Sequence, residues 1–131
     1  MIINIPFIKS RGFECGQVCV AMMIKYYLSD FEPNFDEFNK LIGHKQGLYT
    51  FPSQNVLLLD HYGINAKCYC GNDYFASKEA FVNGWGINTW NAQEKFVDVE
   101  NFLINRQKMY DLDLFERRKH SLIELLEYTK Q

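Results

Sequence analysis

Few residues in this chain have the type and spacing to do chemistry. Cys15 heads the stretch "FECGQVCVAMMIKYY", where a Cys-Gly pair stands before an apolar run with helical spacing. A thiol attacks only as its thiolate. The first turn of a helix offers unpaired N–H groups and a positive dipole end, both of which favour negative charge on a sulfur placed there. Gly16 has no Cβ and so lets backbone or substrate come close. Cys15 is therefore a candidate nucleophile, and a small core residue opening a buried helix is the competing reading. A cysteine nucleophile also needs a base, ordinarily a histidine oriented by a third group. Three histidines are available. His44 stands in the loop "GHKQG", where a solvated side chain is expected. His61, in "DHYG", closes a helical run, where a cation suits the dipole. His120, in "RRKHSLIE", is the only one placed late in the chain, and it precedes a helical pattern.

The remaining cysteines read as buried or free thiols. Cys15 and Cys19 are four apart, on one helical face, and Cys68 and Cys70 are two apart, on one strand face. A four-thiolate zinc site would need C-x3-C plus C-x-C, which is not a common ligand spacing. No metal or cofactor is expected.

The elements that must position Cys15 follow from pattern. "IINIPFI" is a short extended lead-in, held to an edge by Pro6. Residues 15–28 form a helix apolar nearly all round, hence central to its domain. Asn34 caps a second helix, with Glu37 placed to complete a capping box, and Gly43 stops it. Pro52 opens a third, and Gly63 ends it. "INAKCYC" alternates as a strand. Residues 73–82 make a short helix, "NGWGINTWN" a loop or short strand, and 98–110 a further helix. "ERRKH" reads as a solvated helix start, and "HSLIELLEYTKQ" as a last helix with Ser121 and Glu124 as its capping box.

Composition agrees with one folded unit. The 131 residues are 47% hydrophobic and 23% charged, with aromatics at 16%. That suits a single domain with a real core. A formal charge of −2 and no long basic run argue against nucleic acid as the partner. No apolar run approaches the ~20 residues a membrane helix needs, and no signal peptide is evident. A cytoplasmic chain without a membrane segment is expected.

The runs "IPFIKSRGFECGQVCVAMMIKYY", "FDEFNKLIG" and "TFPSQNVLLLDHYGINAKCY" resemble, in order, the N-terminal half of the bacteriocin-processing cysteine peptidases, papain-like enzymes of which some cut after a double-glycine leader. The resemblance covers residues 5–70. It implies an α+β papain-like cysteine peptidase fold, helix-rich in this chain with few short strands, over one domain spanning 1–131. It also implies a peptide or protein substrate and Cys15 as nucleophile. The family's oxyanion-hole Gln falls at Lys9, and the Pro that follows its Cys-Gly falls at Gln17. Its His and Asp lie on strands further downstream. Among the histidines here only His120 stands late enough to be the base, and it is not in that strand setting. The front half of the fold is thus expected, cut before its C-terminal sheet. A longer chain, a second chain or domain, or a catalytically inactive peptide- or protein-binding module would each account for the rest. Whether the chain is an enzyme stays open at this level.

Overall fold

Helix α1 (Cys15–Tyr27) begins directly at the Cys-Gly pair. The computed structural model describes residues 4–10, 12, 14–71 and 77–118. His120 and the expected last helix at 121–131 lie outside the described residues, as do Ile2 and Ile3 of the lead-in.

Helix α2 (Phe35–Leu41) starts where Asn34 Oδ1 accepts the Glu37 amide N–H at 3.2 Å. Burial, with the Glu37 carboxylate close by, pushes the pKa of the Tyr62 hydroxyl up. Helix α3 (Pro52–His61) has Pro at its first position, where the missing N–H is no loss. Its first turn is closed by Gln54, whose Oε1 accepts the Phe51 amide N–H at 2.8 Å.

Strand β1 (Cys68–Cys70) is shorter than the alternation of 64–70 suggests. It pairs in parallel with β2 (Phe115–Arg117), Cys68 opposite Phe115 and Cys70 opposite Arg117. The solvated helix start expected over "ERRKH" is therefore corrected, because Glu116 and Arg117 are strand residues. Parallel strands need a long crossover. Helices α4 (Lys78–Trp85), α5 (Ile87–Gln93) and α6 (Val99–Asp111) supply it, with one 3-10 turn at Glu94–Phe96. Residues 83–85 and 87–91 are likewise helical rather than loop or strand. Gly86, at φ 79°, separates α4 from α5, and Trp90 of α5 is buried against Phe51 and Phe102. Tertiary packing of that indole overrides the weak local signal. The result is an α+β arrangement, helix-rich, with a two-stranded parallel sheet among the described residues.

Helix α3 is the hub. Leu58 and Leu59 join Val18, Ala21 and Ile24 of α1 and Phe38 of α2. Val56 meets Met109 and Leu114 on the other side, and Phe51, just before Pro52, meets Phe102 of α6. Burying each such side chain contributes roughly 1.5–3 kcal/mol. Three buried or half-buried amides, Gln54, Asn101 and Asn105, all donate to the Ile42 carbonyl at the end of α2. Gly43 follows at φ 62°, and a Cβ there would stand 2.5 Å from Asn101 Oδ1. Both the left-handed backbone and the close approach require glycine.

Candidate functional site

Cys15 is the first residue of α1 and is exposed. Its position is set by what lies beneath it. A Cβ on Gly16 would come within 2.9 Å of Asn55 Oδ1 and 3.1 Å of Thr50 Cβ. Only glycine lets the head of α1 sit this closely on the segment that opens α3.

A chain of buried polar groups ties the same point down. Gln17, fully buried, donates through Nε2 to Asn39 Oδ1 at 3.0 Å and accepts from Thr50 Oγ1 at 2.8 Å. Asn39 Nδ2 in turn donates to Glu14 Oε1 at 3.1 Å. Glu14, the residue before Cys15, is itself buried. Three elements are thereby locked together around the cysteine: the α1 head, α2 through Asn39, and the loop before α3 through Thr50. Beside this network opens a polar cleft of about 300 Å³, lined among the described residues by Glu14, Asp36, Asn39 and Gln46.

The other residues singled out from sequence fall as follows. Lys9 is exposed in the lead-in, outside regular structure. His44 is not a solvated loop residue. It is buried, and its Nε2–H donates to the Leu48 carbonyl at 2.9 Å. Its backbone N–H is held by Asn39 O at 2.8 Å. The short loop thus folds back under α2 and takes the ring with it. His61 ends α3 and is exposed, edge-on to the Tyr62 ring. Asn55 is the α3 residue against Gly16, and His61 is six residues further on, about 9 Å along the helix axis. Among the described residues neither imidazole hydrogen-bonds Cys15. His120 lies outside the described residues.

All four cysteines are free thiols, two on α1 and two on β1, and among the described residues no three His, Cys, Asp or Glu gather as a metal site. Cys19 is exposed. With Met23, Tyr26 and Tyr27 it continues a half-exposed apolar row down α1 from Cys15. Cys68 is half-buried, and burial, with Cys70 close by, pushes its thiol pKa up, so it stays protonated.

Sequence reasoning missed the Glu14–Asn39–Gln17–Thr50 chain. One signal for it was present. Gln17 shares a helical face with Ala21 and Ile24, and a lone amide on an apolar face needs buried partners. Which partners, the sequence does not say, because Asn39 and Thr50 sit in other elements.

Comparison of the chain with protein-family models, with curated proteins and with solved structures gives no match. Among the described residues no helix is long and apolar enough to cross a membrane.

Proposed function

We propose that this chain is a papain-like cysteine peptidase-like domain, akin to the bacteriocin-processing peptidases, that acts on peptides through Cys15. One observation carries the reading: an exposed thiol at the first position of a 13-residue helix, with Gly16 seated on Thr50 and Asn55 behind it. The positive end of the helix favours negative charge on that sulfur. The thiolate would attack a peptide carbonyl, and first-turn N–H groups of α1 would donate to the oxyanion as the acyl-enzyme forms. Lys9, at the place of the family's oxyanion amide, would act there as a cationic donor. His120 is the one histidine placed late enough in the sequence to be considered as the base. The four free thiols suit a reducing compartment, so the cytoplasm is the proposed location.

The test is competitive alkylation at pH 6. Cys15 is expected to react about tenfold faster than Cys19, an exposed thiol on the same helix that serves as internal reference. Equal rates would refute nucleophile activation.

A second reading, peptide binding without turnover, is favoured by the exposed apolar row from Cys15 to Tyr27 and by the absence of a bond from either described imidazole to the thiol. It expects Cys15→Ala to bind peptides as the parent does. Hydrolysis that disappears in Cys15→Ser would sink it.

A further inference from the structure

On the far side of α3 from Gly16 lies a second recess, of a different character. It has a volume of about 140 Å³ and is partly open to solvent. Its walls come from both strands, from α6 and from the first turn of α3. Phe102, Met109, Tyr110 and Phe115 make it apolar, and Cys68 and Cys70, two apart on β1, both line it. An apolar cavity of about 150 Å³ stays dry and accepts benzene, so the space matches a single ring or a short aliphatic chain.

Three polar features converge on this apolar space. Ser53 lines it and is only 4% exposed, yet among the described residues its buried Oγ has no hydrogen-bond partner. A buried hydroxyl left unsatisfied is costly and calls for a partner. Arg106 is the one charged residue among the described lining side chains. Its guanidinium lies 4.5 Å from the Tyr110 ring centroid and donates to Tyr110 Oη at 3.3 Å, which fixes its place at the wall. Pro52 and Ser53 are also the first two residues of α3, so the positive end of a 10-residue helix faces the same recess. A hydroxyl can donate to a carboxylate, and a guanidinium and a helix head both attract a carboxylate and repel an ammonium.

We infer that this recess binds a small apolar carboxylate, a single aromatic ring or short aliphatic chain bearing one carboxyl group that meets Ser53 Oγ and Arg106. The ring fills the space between Phe102, Met109 and Phe115. The carboxyl group satisfies the orphaned hydroxyl. Such a group belongs equally to a free acid or to the C-terminus of a peptide ending in an apolar residue. The inference does not depend on the role of Cys15, since the recess shares none of its lining residues with the α1 head.

The two thiols provide the assay. The full chain is alkylated with iodoacetamide, and the extent at each cysteine is read by mass spectrometry, with and without ligand. Phenylacetate and benzoate represent the free acid, N-acetyl-phenylalanine the peptide C-terminus, and benzylamine is the charge-reversed control. At saturating carboxylate, labelling of Cys68 and Cys70 is expected to slow about fivefold or more while Cys15 and Cys19 are unchanged, because only the first pair lines the recess. Benzylamine is expected to protect neither. Arg106→Gln should weaken the protection about tenfold, and Ser53→Ala by a smaller factor. Tighter protection by N-acetyl-phenylalanine than by phenylacetate upholds the site and assigns it to peptide ends, and the reverse order upholds it for free acids. No selective protection of Cys68 and Cys70 in the parent protein, or equal protection by benzylamine, overturns the inference, whatever the variants do.

Discussion

Replacing Gln17 by Glu tests the buried chain beneath Cys15 with almost no change of shape. Gln17 uses its amide in both directions, donating to Asn39 and accepting from Thr50. A protonated carboxyl group can do the same, with its O–H to Asn39 Oδ1 and its carbonyl oxygen to Thr50. An ionised carboxylate cannot. It turns an acceptor toward Asn39 Oδ1, in a fully buried position two hydrogen bonds, through Asn39, from the Glu14 carboxylate. Asn39 could answer only by rotating its amide, which would surrender the bond to Glu14. Burial and a like charge both raise such a pKa, by up to 3–5 units for a fully buried group. Each unit is about 1.4 kcal/mol. A folded pKa raised above the unfolded value of about 4.3 leaves the variant near the parent at low pH. Its penalty then grows as pH rises from there to the raised pKa, and stays constant above it. About 3 kcal/mol of extra destabilisation is expected at pH 8 relative to pH 4, read from urea midpoints of parent and variant across that range. Gln17→Ala, which loses two hydrogen bonds and leaves a void, should cost about 3 kcal/mol at every pH. A Gln17→Glu penalty that is flat from pH 4 to 8 would refute the hydrogen-bond assignment.

Asp98 joins two regions, capping α6 through the Asn101 amide and pairing with Lys45 at 2.7 Å. The hydrogen bond from Lys45, with that of the Asn101 N–H, holds its carboxyl below the usual carboxylate range. The same partner holds the Lys45 ammonium above its ordinary value. The contribution of Asp98 is therefore present above the unfolded carboxylate pKa of about 4 and is lost as pH falls through the folded value. Thermal unfolding of Asp98→Asn should lie below the parent at pH 7 and converge with it near pH 3 or lower. Gly43→Ala places a Cβ 2.5 Å from Asn101 Oδ1 at a positive φ, so a loss of about 2 kcal/mol is expected in chemical denaturation. Asn105→Ala removes a 1%-exposed amide from the Ile42 carbonyl, for about 2 kcal/mol by the same measurement. Gln107→Ala removes only an exposed bond to Asp111 and should fall within about 0.5 kcal/mol of the parent.

What the sequence revealed tracks how local each cause is. The starts of α1, α2 and α3 are legible because each depends on a few neighbouring residues: Cys-Gly before an apolar run, Asn34 three before Glu37, Pro52 at a first turn. Elements set from a distance were not. The α5 segment is helical because Trp90 reaches Phe51 and Phe102, which stand far off in the chain. Strand β2 exists because Cys68 offers it a ladder, not because "FER" carries a strand pattern. His44 was misplaced for a similar reason, since its burial depends on Leu48 and Asn39 closing a loop around it. At the site, Cys15 and Gly16 could be chosen from two adjacent letters. The network that seats them joins four residues from three stretches of chain, and only the fold brings those together.

The parallel pairing of β1 with β2 also has consequences for how the chain is made. Among the described residues Cys68 has no strand partner until Phe115 has been synthesised and α4, α5 and α6 have been laid down between them. That is the loop-closure order that slows folding and leaves strand edges unpaired meanwhile. During that interval the backbone groups of β1 that will pair with β2 are not yet engaged by it. Synthesis of the chain through residue 117 is therefore needed before this pairing can close.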